Sequence, residues 1–173
     1  MFDIMLQKGF FMIKRVVLAL AILSLLTSCV GMKPKKEESA FIVLKTPTIR
    51  YADMGFVTAS PTAVKVEIYG AGQPLMKLEI GGLNICMSKF KCMDKMTFNE
   101  KVLNGAYDKN LLENIFRGEP IFKSENIESD KDGSFSQKLT KENVYDISYR
   151  VNQKERVFRD KLNKILIKVR EQK

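Results

Sequence analysis

The chain contains no histidine and no tryptophan. The missing histidine removes the commonest catalytic base, the commonest metal ligand and the usual switch near neutral pH. Ser-His-Asp and Cys-His catalysis are excluded by that absence, whereas lysine- and carboxylate-based chemistry is not. No nucleophile can be placed beside a base, so no enzyme activity and no cofactor are expected. There is no arginine-rich block and no basic-aromatic pattern of the kind that binds nucleic acid, and that partner is not expected either. Internal repeats and low-complexity tracts are also missing. The apolar run Val16 to Leu26 has eleven residues, well short of the ~20 needed to span a bilayer as a helix.

What is present is an ordinary globular composition over 173 residues, 45% hydrophobic and 28% charged, enough for one domain with appendages. The short apolar run follows Lys14 and Arg15 and ends in Leu26-Thr27-Ser28-Cys29. A basic start, a short apolar core and small residues form a secretory signal, and Leu-Thr-Ser-Cys resembles the bacterial lipobox. Met12 is a better start for such a signal than Met1. The expected organisation is a signal peptide over 1–28, a lipidated Cys29 with a polar linker over 29–40, and one domain over 41–173. Several acyl chains hold a protein firmly on a bilayer where one is marginal. Residue 30 is valine rather than aspartate, which by the sorting rule of diderm lipoproteins points to the outer membrane, facing the periplasm. Residues 1–28 hold three basic residues and one acidic one, so the chain from Cys29 onward keeps +7 of the total +9. That excess suits anionic headgroups or acidic partners, and equally serves solubility.

The domain reads as strands. Residues 41–45 are apolar and β-rich, and residues 46–61 read as two short strands around a turn near Asp53. Val64, Val66 and Ile68, then Met76, Leu78 and Ile80, alternate with polar residues, which makes a hairpin with one buried face. Gly70 and Gly72 permit its turn, Gly81-Gly82 makes the next, and residues 83–87 form a further strand. Thr97 to Glu100 has the capping-box pattern that opens a short helix, with Phe98, Val102 and Leu103 on its apolar side. Asp108 is the expected cap of a second helix carrying Leu111, Leu112, Ile115 and Phe116, ended by Gly118 and Pro120. Residues 130–135 are a turn, and alternation returns at Tyr145 to Val151 and Ile165 to Val169. The fold class expected is mainly β with short helices (α+β): a curved antiparallel sheet or half-barrel plugged by one or two short helices. Periodicity leaves open whether its interior is a packed core or a cavity.

This order of elements resembles the LolB family, outer-membrane lipoproteins that receive other lipoproteins from the soluble periplasmic carrier LolA. The resemblance covers roughly residues 41–170. It rests on Leu112 to Pro120, "LENIFRGEP", similar to the family's helix end, on the hairpin 64–80 before it and on the two late strands after it. It implies an acyl-chain cavity lined by Val64, Val66, Ile68, Met76, Leu78 and Ile80 and closed by Leu112, Ile115 and Phe116. It also implies partners: membrane lipid through the N-terminal acyl chains, a LolA-like carrier and lipoprotein cargo. The family carries a leucine beside glycine at the hairpin tip. Here Ala71 occupies that place and Leu75 is the nearest leucine, so these two are the candidate membrane-insertion tip. The alternative is a non-catalytic accessory or structural envelope lipoprotein that uses the same fold to dock proteins. Lys89, Lys91 and Lys95 are expected on a solvated rim.

Cys86 and Cys92 by themselves suit a metal clip, a redox pair or a staple. With Cys29 taken by lipid and the domain in an oxidising compartment, disulfides persist. A metal site would need ligands this chain does not offer, and a redox motif is more often C-x-x-C. A Cys86–Cys92 disulfide is therefore expected, with no metal site.

Overall fold

The computed structural model describes residues 36–87 and 91–172. The alternating segments form strands, as their period requires: β3 (Val64–Gly70), β4 (Gln73–Ile80), β9 (Tyr145–Val151) and β11 (Ile165–Glu171). Around them lie β1 (Lys36–Lys45), β2 (Arg50–Ala59), β5 (Asn84–Met87), β6 (Lys91–Asp94), β7 (Ile127–Ser129), β8 (Phe135–Lys141) and β10 (Glu155–Asp160). Two helices, α1 (Lys95–Val102) and α2 (Leu111–Arg117), and a single turn at Phe122–Ser124 separate β6 from β7. The result is mainly β with short helices, in one open sheet of order β6-β5-β4-β3-β2-β1-β11-β10-β9-β8-β7. Every pairing is antiparallel. Each half is a meander, and only the β1–β11 pairing, Ala40 opposite Glu171 through Lys45 opposite Leu166, joins them.

The sheet is curved. Helix α2 packs against both β3 and β10, which stand four strand spacings apart. On a flat sheet that is about 19 Å at ~4.8 Å per spacing, beyond the reach of one seven-residue helix about 10 Å across. The concave face holds Ala40, Ile42, Leu44, Val57, Phe158, Ile165, Ile167 and Val169, and α1 and α2 lay Phe98, Leu111, Leu112, Ile115 and Phe116 onto it, all but fully buried.

Several local expectations are corrected. Residues 50–59 form one continuous strand, not two around a turn. Gly55 is there because β3 crosses close by: a Cβ at that position would collide with the Glu67 carbonyl oxygen. Residues 36–40, read as linker, are the first half of β1, where Glu38 pairs with Arg156 and Glu37 accepts from the Thr58 hydroxyl at 3.1 Å. Helix α1 begins at Lys95, and its cap is Asp94 rather than Thr97. Asp94 accepts from the Thr97 amide at 2.9 Å and from its hydroxyl at 2.6 Å. Asp108 shapes the turn before α2 by accepting from the Asn110 amide at 2.8 Å. Gly118 ends α2 in the left-handed conformation, φ 72°, as expected of a helix C-terminus.

Lys95 is not on a solvated rim. It is 4% exposed, and its Nζ donates to Glu113 Oε2 at 2.7 Å and Asn110 Oδ1 at 3.1 Å, tying α1 to α2. Glu113 also receives Arg117 at 2.9 Å. Asn99, fully buried, donates to the carbonyls of Tyr107 and Asp108 and fixes the turn between the helices. The arrangement predicts an asymmetry. Glu113→Gln strands a buried ammonium and should lower unfolding stability by about 3 kcal/mol, as expected when one member of a buried pair is removed. Lys95→Met leaves Glu113 its arginine and replaces the ammonium by an apolar group, so its effect should be about 1 kcal/mol or less. Denaturant titration of the two variants decides it: equal effects would rule out this reading of the pair.

Candidate functional site

The nine expected cavity-lining residues come together. Val64, Val66, Ile68, Leu78 and Ile80 are fully buried and Met76 is 5% exposed on the concave face. Leu112, Ile115 and Phe116 cover that face from α2, at 1% exposure or less. They form one packed cluster between sheet and helix, so any guest at this face has to displace the helical insert.

What holds the insert down is therefore part of the site. Tyr107, in the turn between the helices, is 2% exposed, and its hydroxyl donates to Asp160 Oδ2 on β10. Asp160 also accepts from Asn163 Nδ2 at 2.7 Å, the Asn163 amide at 3.1 Å and the Asp146 amide at 3.2 Å. Burial works to raise the pKa of Asp160, but the hydrogen bonds from Tyr107, Asn163 and the Asp146 backbone outweigh it and hold the carboxylate below its ordinary value. Burial and the Asp160 carboxylate raise the pKa of the Tyr107 phenol, which stays protonated. Edge-on contacts with Phe122 and Phe158 seat the Tyr107 ring.

A second clamp acts beyond α2. Phe122, Lys123 and Ser124 all have positive φ (45°, 54° and 67°), a left-handed turn that costs roughly 1–2 kcal/mol per residue. Gln137, buried on β8, spans it. Its Oε1 accepts from the Ile121 amide at 2.8 Å, and its Nε2 donates to the carbonyls of Ile121 at 3.0 Å and Glu125 at 2.7 Å.

The β3–β4 hairpin ends in a two-residue turn, Ala71 (φ 50°) and Gly72 (φ 77°), between paired Gly70 and Gln73. Both positive φ values are what a type I′ hairpin turn requires. A register shift beside Ile68 and Tyr69 leaves Leu75 as the extra residue of β4. Leu75 folds back over Gly70: a Cβ on Gly70 would lie 2.6 Å from its Cδ1. Leu75 is half exposed. Next to it, among the described residues, β5 pairs with β4 as far as Leu78 opposite Met87. A cavity of about 540 Å3 lies there, lined by Tyr51, Tyr69, Pro74, Leu75, Met76 and Met87, with Glu67, Lys77 and Lys91 at its polar side.

Cys86 and Cys92 stand opposite each other on β5 and β6 and form a disulfide, with Cα atoms 3.9 Å apart. It joins two adjacent strands. Cys29 and Lys89 lie outside the described residues. Among the described residues no group of three or more Cys, Asp or Glu converges on a metal-sized site. No helix among them is long and apolar enough to cross a membrane.

Sequence reasoning missed three features. Leu83, in the β4–β5 turn, is 83% exposed, the most exposed of the large apolar residues described. Its carbonyl accepts from the Lys95 amide at 3.2 Å, which places it beside Met96, 43% exposed. The leucine after Gly81-Gly82 was the available signal. Arg156 and Glu38 are the second omission. They pair inside the curve of the sheet beside Lys36, Arg117 and Glu119, in crevices of about 200 Å3 and 210 Å3. Burial lowers the Arg156 pKa to about 10, against the attraction of Glu171, so it stays charged at neutral pH. The third is the pair of polar clamps at Asp160 and Gln137, which no sequence pattern marks.

No family model matches this sequence, and no curated protein matches it at a significant level.

The depressed carboxylate fixes a pH dependence. A group with a lowered folded-state pKa stabilises above its unfolded value of ~3.9 and loses that contribution as pH falls through the folded value. Acid should therefore loosen the insert below about pH 4. Asp160→Asn should lower the melting temperature at pH 7 and make it fall less steeply between pH 5 and 3. An unchanged acid limb in the variant would show that Asp160 is not part of it.

Proposed function

We propose that the chain is a lipid-anchored, periplasm-facing outer-membrane lipoprotein of LolB type, which accepts lipoproteins from a soluble carrier and passes them to the outer membrane. The observation that carries the proposal is the cover on the apolar face. A curved open sheet buries its concave face under two short helices and a strained turn, not under a second sheet. Those helices are fastened at their margins by polar clamps, Tyr107–Asp160 and Gln137. A cover held in this way can be lifted as a unit, and an acyl chain then replaces one apolar surface with another.

The lipid attachment proposed at Cys29 bears on which end meets the membrane. Lys36 stands opposite Ala59, and Val64 opposite both Ala59 and Ile80, so the strand ends at Lys36 and Ile80 share one end of the sheet with Leu83. The Ala71 tip lies about seven residues further along the strands, about 23 Å at ~3.3 Å per residue. The seven peptide units from Cys29 to Lys36 extend to about 25 Å at most. Bringing Ala71 or Leu75 to the bilayer demands a nearly straight linker, whereas Leu83 and Met96 need none. Leu83 is then the better insertion residue: at the same ~25 cal/mol per Å2 of buried apolar surface, a leucine has more apolar area to bury than Ala71.

A second reading, an accessory lipoprotein that docks proteins, is favoured by the closed packing of the concave face, where the candidate cavity residues are 0–5% exposed. Depletion separates the two. With the receptor, lipoproteins accumulate in the periplasm or inner membrane on fractionation, and Leu83→Glu reproduces the defect more strongly than Leu75→Glu. Normal delivery in depleted cells would eliminate the receptor reading and leave the accessory one.

A further inference from the structure

We propose that the cavity beside β4 binds a single-chain amphiphile with an anionic head group, and that the Cys86–Cys92 disulfide holds two of its wall residues in place. The proposal stands apart from the receptor reading, since it requires neither lipidation at Cys29 nor a carrier.

Size argues for one chain. About 540 Å3 falls within the ~300–1,000 Å3 usual for small-ligand sites. At ~30 Å3 per water-sized group the space takes on the order of eighteen such groups, one acyl chain rather than the three of a lipoprotein. Chemistry argues for the chain as well: Tyr51, Pro74, Leu75, Met76 and Met87 make a continuous apolar wall, and methionine side chains adapt to an irregular guest.

Charge argues for the head group. Glu67 is matched by Lys65 at 2.6 Å, and Lys77 by Glu79 at 2.8 Å. Lys91, exposed at the polar side of the cavity, has no acidic partner among the described residues. Among the described residues the wall therefore carries one uncompensated positive charge at the rim of an apolar slot. An anion gains a charge-assisted contact there, a neutral head forgoes it and a cationic head is repelled.

The disulfide enters through its neighbours. Met87 pairs with Lys91 across β5 and β6, one register step from Cys86 opposite Cys92. An isolated two-stranded ribbon is marginal in water, and this four-residue hairpin lies at the edge of the sheet. The covalent link sets the register that places a methionine and a lysine on the same cavity. Reduction leaves the rest of the sheet paired and loosens that wall.

The test is photocrosslinking of the full-length chain in phosphatidylcholine nanodiscs with a diazirine-bearing hexadecanoic acid, followed by peptide mapping. A parallel arm uses a diazirine-bearing lysophosphatidylglycerol. Labelling within residues 73–77 and at Met87 by either probe supports the site, and the stronger arm identifies the source of the head group. The matching diazirine hexadecanol should label these positions roughly tenfold less, the loss of one charge-assisted hydrogen bond. Lys91→Glu should lower labelling by the acid to the same extent, with an unchanged melting temperature showing that the fold is intact. The double variant Cys86→Ser, Cys92→Ser should also label less. Equal labelling by the alcohol, labelling confined to the concave-face core, or no labelling by either anionic probe would overturn the proposal.

Discussion

The fold depends on the pairing of β1 with β11. Residues 40–45 and 166–171 come from opposite ends of the described chain, so the contact forms only after a long loop closes, which is entropically slow. Without it there are two meanders, each exposing an apolar face. With it there is one sheet of eleven strands. Such a sheet, twisted in the usual sense and packed against something small, curls. The small cover comes from the middle of the sequence, where the chain passes from one edge strand to the other, so the helical insert meets the concave face that the terminal strands create.

Because the cover is short, it cannot be held by apolar area alone, and polar residues on inward strand positions take up the remainder. Gln137 on β8, Asp160 on β10 and the Arg156–Glu38 pair between β10 and β1 all point into the curve. A buried polar group is costly unless its partners are complete. Asp160 accepts four hydrogen bonds and Gln137 makes three. These groups specify where the insert sits more than they add net stability, since breaking them leaves a desolvated partner behind. The left-handed turn at Phe122–Ser124 fits the same account: a strained backbone survives where its surroundings over-determine it.

The same residues explain what could be read from the sequence. Strands β3, β4, β9 and β11 place apolar residues at every fully buried inward position, and their alternation was legible. Strand β10 has Arg156 and Asp160 inward, β8 has Gln137 and β1 begins with an inward Glu38, so the two-residue period breaks: residues 36–40 read as linker, and β8 and β10 carried no strand pattern. In β2, Asp53 and Gly55 imitate a turn. Only the approach of the Glu67 carbonyl, which no local pattern records, shows why glycine is needed. Helix ends were legible where the chemistry is local, as at Gly118, and misplaced at Thr97, where Asp94 three residues earlier competes for the same amide. At the candidate site, the burial of the apolar liners followed from their alternation, and the disulfide from the compartment that the lipobox implies and the lack of further ligands. The cavity beside β4 did not, because it gathers residues of β2, β3, β4, β5 and β6 that no local pattern links.

The described residues present two kinds of apolar surface. The concave face is continuous and buried beneath the insert, and only at its hairpin end does it share a residue, Met76, with the cavity beside β4. The cavity beside β4 is bordered by a half-exposed leucine and by a lysine without an acidic partner among the described residues. A guest there disturbs only the edge hairpin, which the disulfide braces, whereas a guest at the concave face must break the clamps at Asp160 and Gln137. The first event involves few contacts and the second a cooperative unit, so the free-energy cost of admitting a ligand differs sharply between them. The lipid binding proposed above thus divides physically into a site that is open in the folded state and one that requires a conformational step. Acid or reduction acts on each through different residues.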